Sequence, residues 1–94
     1  MEIPVNNNKR NYHEEVIQRV INDLKDKSQV MYYPRQESIP IEFFIEAARA
    51  FVKKGYYAKV NYFVESWKGV QFVLISKNPV SATNARMVYS EIIH

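Results

Sequence analysis

The chain has 94 residues, 47% hydrophobic and 24% charged, enough for one globular domain and too few for two cores. It contains no cysteine, which excludes disulfides and thiolate chemistry and fits a reducing compartment. The formal net charge is +3, and no apolar run approaches the roughly 18 residues that cross a bilayer.

Residues 1–10, "MEIPVNNNKR", lack the basic-then-apolar order of a secretory signal and read as a flexible N-terminal arm. The expected location is therefore cytoplasmic, with no membrane partner. Residues 11–94 are expected to form a single α+β domain.

The first helix is expected from about Tyr12 to Lys27. Asn11 is suited to its N-cap, and Glu14 follows three residues later as in a capping box. Val16, Ile17, Val20, Ile21 and Leu24 repeat at helical spacing and give one buried stripe. Val30 to Tyr33 is β-prone and offers a short third strand, which Pro34 would end or confine to a sheet edge.

The second helix is expected from about Pro40 to Lys54, with Gly55 just past its end. Ile41, Phe44, Ile45, Ala48, Phe51 and Val52 cover one broad face, and Phe43, Ala47 and Ala50 widen it. Only Glu42, Glu46, Arg49 and Lys53 make a polar stripe. Such a helix is either central to the domain or half of an oligomer interface.

"GYYAKVNYFVESWKGVQFVLI", residues 55–75, reads as an antiparallel hairpin. Pairing Val64 with Val70 leaves Glu65 to Gly69 as the loop. That register places Ala58, Val60, Tyr62, Val64, Val70, Phe72 and Leu74 on a core face. The other face then carries Tyr57, Lys59, Asn61, Phe63, Gln71, Val73, Ile75 and Lys77, and is neither clean core nor clean surface. A last helix is expected after "NPVSATN", with Ala85, Val88, Tyr89 and Ile92 as its buried stripe. The expected layout is two N-terminal helices, the hairpin with a short third strand, and a C-terminal helix. An apolar outer hairpin face would invite a homodimer, because a two-stranded sheet alone is marginal.

The basic charge is concentrated. Residues 49–77 carry Arg49, Lys53, Lys54, Lys59, Lys68 and Lys77 against Glu65 alone, whereas the flanking segments are balanced or acidic. Such asymmetry attracts phosphate backbones or acidic proteins, and it also discourages edge-to-edge aggregation. Only two glycines occur, while Asn, Lys, Ile, Tyr and Phe are abundant. That composition resembles small accessory proteins of AT-rich phages, plasmids and bacteria.

Catalytic signatures are few. "HEEVI" opens like a zinc-protease helix, but Ile17 stands where the second histidine belongs. His13 and His94 lie near opposite ends of the chain. No serine sits in a Gly-x-Ser-x-Gly elbow, and no Gly-rich phosphate loop occurs. No catalytic residue, cofactor or metal site is expected. "KGYYAKVNY" starts like an RRM signature and then departs from it, with Tyr57, Ala58 and Lys59 at positions that require other residues.

The favoured expectation is a non-catalytic interaction or regulatory protein, of the phage accessory or inhibitor kind. It would bind a macromolecular partner, a protein first, through Tyr57, Lys59, Phe63, Trp67, Lys68 and Lys77, with aromatic anchors inside a basic rim. The alternative is a nucleic-acid-binding protein using the same residues, with Tyr57 and Phe63 stacking on bases. A third is a small metal-free ribonuclease.

Overall fold

A computed structural model describes residues 10–64 and 69–94. Two helices, α1 (Tyr12–Asp23) and α2 (Ile41–Lys53), pack on one face of a four-stranded antiparallel sheet. Its strands are β1 (Gln29–Tyr32), β2 (Tyr57–Phe63), β3 (Val70–Ser76) and β4 (Val88–Ile93), ordered β1-β3-β2-β4. The architecture is a two-layer α+β domain. The expected N-terminal arm lies almost wholly outside the described residues.

Local chemistry explains both helices. The Asn11 side-chain oxygen accepts from the Glu14 N–H at 3.1 Å, and Glu14 and Glu15 place negative charge in the first turn of α1. Val16, Val20 and Leu24 bury the inner stripe. The helix stops short of the expected Lys27. By Ser28 the backbone is already in the sheet, its carbonyl accepting from the Lys77 N–H at 2.9 Å, so residues 24–28 must turn.

α2 ends at Gly55, whose φ of 103° is a left-handed conformation that glycine adopts without strain. The Tyr56 N–H donates to the Phe51 carbonyl and the Gly55 N–H to the Val52 carbonyl, both at 3.0 Å. This is a Schellman motif. Its companion hydrophobic contact is present as an edge-on packing of the Phe51 and Tyr56 rings, 5.2 Å between centroids.

The breadth of the apolar face of α2 has a direct cause. It contacts α1 on one side and β2, β3 and β4 below. Phe44, Ala47 and Ala48 are fully buried, the alanines letting neighbouring backbone come close. Arg19 on α1 forms a two-pronged pair with Glu37 and lies over the Tyr32 and Phe44 rings, tying α1 to the chain that leads into α2. Tyr32, buried in β1, donates its hydroxyl to Asp23 at 2.7 Å.

The C-terminal helix expected from the sequence is absent: residues 88–93 form β4, paired with β2 from Phe63↔Val88 to Ala58↔Ile93. Four of the six residues in "VYSEII" are Val, Tyr or Ile, which suit a pleated surface. Pairing with β2 also covers a backbone edge that a bare hairpin would leave open. Neither Asn78 nor Ser81 caps a helix, and the Asn78 N–H instead meets the Ser76 hydroxyl at 2.9 Å.

The hairpin register also differs. Tyr62 pairs with Val70 and Asn61 with Phe72, leaving Gln71 as the extra residue of a β-bulge. Beyond the bulge, Val60 faces Val73 and Ala58 faces Ile75. Val73 and Ile75 therefore join the helix-face core with Val30, Tyr32, Ala58 and Val60. Phe72 and Leu74 turn to the opposite face, and Val64, expected in the core, is exposed.

Candidate interaction surface

The sheet face away from the helices has two halves. On the β2–β4 half, the chain covers itself. β3 ends at Ser76 beside Tyr57, whereas β4 begins at Val88 beside Phe63, so residues 77–87 must return along the length of the sheet. They run beside β4. The Ser90 N–H donates to the Thr83 carbonyl at 3.1 Å, and the Thr83 N–H to the Ser90 hydroxyl at 2.5 Å. Lys59 reaches up from β2 and donates to the Ser81 carbonyl at 2.8 Å and the Thr83 hydroxyl at 2.9 Å. Asn61, two residues on, is 4% exposed, and its side-chain oxygen has no hydrogen-bond partner among the described residues.

The β1–β3 half is open. Met31 is exposed at the edge, and the Tyr33 hydroxyl donates to its sulfur at 3.8 Å. The Tyr33 ring packs on Phe72 at 5.5 Å. Tyr33, Arg35 and Gln36 then line a groove of about 270 Å³ with Phe63 and Gln71. The result is a continuous path Met31–Tyr33–Phe72 leading into a cleft with Phe63. Arg35 stands on the rim and makes no ion pair among the described residues. Leu74, buried behind Met31, completes the apolar floor.

Of the six sequence-expected contact residues, the four described ones are spread along the sheet. Tyr57 and Lys77 sit at one end of the sheet and Phe63 at the other. Six residue steps along β2 separate Tyr57 from Phe63, roughly 20 Å. Lys59 lies between them and is engaged by its own chain. Trp67 and Lys68 lie outside the described residues. Met31, Tyr33, Arg35 and Phe72 escaped sequence reasoning. The β propensity of Val30 to Tyr33 was a partial signal, but nothing local announced that β1 would pair with β3.

Among the described residues, no acid–base pair is poised in a cleft. Burial, and next the Glu91 carboxylate, push the Tyr62 phenol up from its ordinary value, with the hydroxyl donating to Glu91 at 3.3 Å. Among the described residues, no three His, Asp or Glu side chains gather as metal ligands. His13 stands in the first turn of α1, and His94 lies beside Tyr57 and Val80. No described helix is long and apolar enough to cross a membrane. Comparison with protein-family models, with curated proteins and with solved structures found no significant match.

Proposed function

We propose that this protein is a non-catalytic interaction protein whose protein partner docks on the open β1–β3 half of the sheet. The observation that carries the reading is the path Met31–Tyr33–Phe72 running into the Phe63 cleft. It is aromatic and apolar, it is partly solvent-exposed, and it carries a cation, Arg35, on its rim. Interfaces use that composition: buried aromatic anchors with arginine at the margin. The fitting partner presents apolar side chains to the groove and a carboxylate to Arg35.

The closed half supports the same reading indirectly. Lys59 spends its charge on Ser81 and Thr83, so the sheet face is a poor phosphate platform. Nucleic-acid binding by Tyr57, Lys59 and Phe63 together is correspondingly disfavoured. A homodimer remains one form of the proposal, with a second copy as the partner. A phage-type regulator or inhibitor acting in the cytoplasm would work in this way, by occupying a partner's surface.

Affinity capture from the cells that make the protein, with wild type, Met31→Glu and Arg35→Glu, tests the reading. A stoichiometric partner should be retained by wild type and lost with Met31→Glu. Sedimentation velocity of the purified chain distinguishes a second copy from a different protein. Capture unchanged by both variants would contradict the proposed surface.

A further inference from the structure

The topology gathers lysines from three separate segments at one end of the domain. α1 and α2 both run toward that end; β1 and β2 begin there, and β3 ends there. Lys25 and Lys27 lie in the turn after α1, Lys53 and Lys54 close α2, and Lys77 follows β3. Lys25 and Lys77, 52 positions apart in the chain, line one groove of about 300 Å³ with Phe51 and Tyr56. Lys27 precedes Ser28, whose carbonyl holds the Lys77 backbone. None of the five forms an ion pair among the described residues. Asp26 supplies one opposing charge within the same turn, and Asp23 is occupied by Tyr32 and Arg19.

Helix dipoles explain only part of this. Lys53 and Lys54 complement the C-terminus of α2, whereas the last turn of α1 has no basic residue, and Lys25, Lys27 and Lys77 lie outside both helices. A cluster of five lysines set against Asp26 raises the chain's self-repulsion and is relieved when an anion binds. At the same end Tyr57 is 42% exposed, is the cross-strand partner of Ser76, and lines a neighbouring groove that shares Tyr56 with the lysine groove. Exposed aromatic rings beside lysines bind single strands: the ammonium groups follow the phosphates and the ring stacks on a base.

We infer that this lysine-rich end is a binding site for single-stranded nucleic acid, with the five lysines on the backbone and Tyr57 as a stacking platform. The site goes beyond the interaction surface proposed above, which lies on the outer face of the β1–β3 half and runs away from this end toward Phe63. Lysines act as point charges, so recognition is of the backbone and not of a base sequence.

Fluorescence anisotropy with labelled oligo-dT and oligo-rU of roughly twenty nucleotides tests the inference across a salt series. Binding should appear at low salt and weaken roughly 10²–10³-fold per tenfold rise in salt, as about three or four neutralised phosphates require. Lys25→Glu with Lys77→Glu should weaken binding at least about tenfold, and Tyr57→Ser should weaken it by a similar factor. Met31→Glu and Arg35→Glu, on the separate β1–β3 surface, should leave it unchanged beyond the small effect of net charge. The dT and rU arms decide which backbone is preferred. Absence of binding at low salt would overturn the inference, as would indifference to the lysine pair. Equal binding to poly-glutamate, or indifference to Tyr57→Ser, would also overturn it in favour of unspecific polyanion adhesion. Far-UV circular dichroism of each variant confirms that the fold is kept.

Discussion

Lys59 Nζ donates to the carbonyl oxygen of Ser81 at 2.8 Å, joining residues 22 positions apart. With the bond to Thr83 at 2.9 Å, it pins the β3–β4 connection to the sheet. This contact lies on the covered half of the outer sheet face, where Thr83 also bonds to Ser90. A lysine that resembled a phosphate ligand in the sequence is a structural clamp.

Lys59→Met should therefore loosen the connection without unfolding the sheet. The loss is expected to be about 1 kcal/mol, since charge-assisted hydrogen bonds are discounted by partial exposure. Hydrogen exchange at the Thr83 and Ser90 amides should accelerate, while the β1–β3 ladder stays protected. Unchanged exchange at both amides would show that Lys59 does not hold the segment.

Asn61 is the second feature beneath that connection. A buried acceptor without a partner costs about 1–3 kcal/mol. Asn61→Val removes the acceptor and substitutes a β-branched side chain at a strand centre, so chemical denaturation should show a gain of roughly 1 kcal/mol. A clear loss of stability would mean that the amide is satisfied in solution.

Tyr32 makes stability depend on pH at the alkaline end. Burial, reinforced by the hydrogen bond to the Asp23 carboxylate, holds its phenol well above the ordinary range. The folded chain therefore keeps this proton where the unfolded chain releases it. The contribution is complete below the unfolded value of about 10 and declines as pH rises above it. Tyr32→Phe should cost about 1 kcal/mol near neutrality and give a flatter stability curve above about pH 10. The lysines titrate in both proteins, so the difference between the two curves is the readout. Parallel curves would contradict a buried, hydrogen-bonded phenol.

The C-terminal strand is tested by the pair Tyr62 and Tyr89. They are cross-strand partners with rings stacked at 5.2 Å. A double-mutant cycle with Tyr62→Ala and Tyr89→Ala should return a coupling of about 0.5–1.5 kcal/mol. Zero coupling would contradict the β2–β4 register.

Where the sequence carried local chemistry, it was readable. The Asn11 cap, the Gly55 stop, the apolar face of α2 and the alternation Ala58–Val60–Tyr62 all appear in the structure. β3 was different. "VQFVLIS" is apolar at nearly every position, so alternation could not fix its register, and the bulge at Gln71 leaves no mark in composition. "VYSEII" is too short to tell a helical stripe from a strand, and its state was decided by the open edge of β2. The open surface was illegible for a related reason. Met31, Tyr33, Phe63 and Phe72 come from three strands and a turn, and only the sheet order β1-β3-β2-β4 brings them together.

The claim that the β1–β3 half of the outer sheet face receives the partner is tested most directly by site-specific photo-cross-linking. Benzoylphenylalanine replaces Met31 in one variant and Ser81, on the covered half, in another. The account predicts that the probe at position 31 captures one discrete partner, or a second copy of the chain, and that the probe at position 81 does not. Capture from position 81 alone, or equal capture from both, would contradict it.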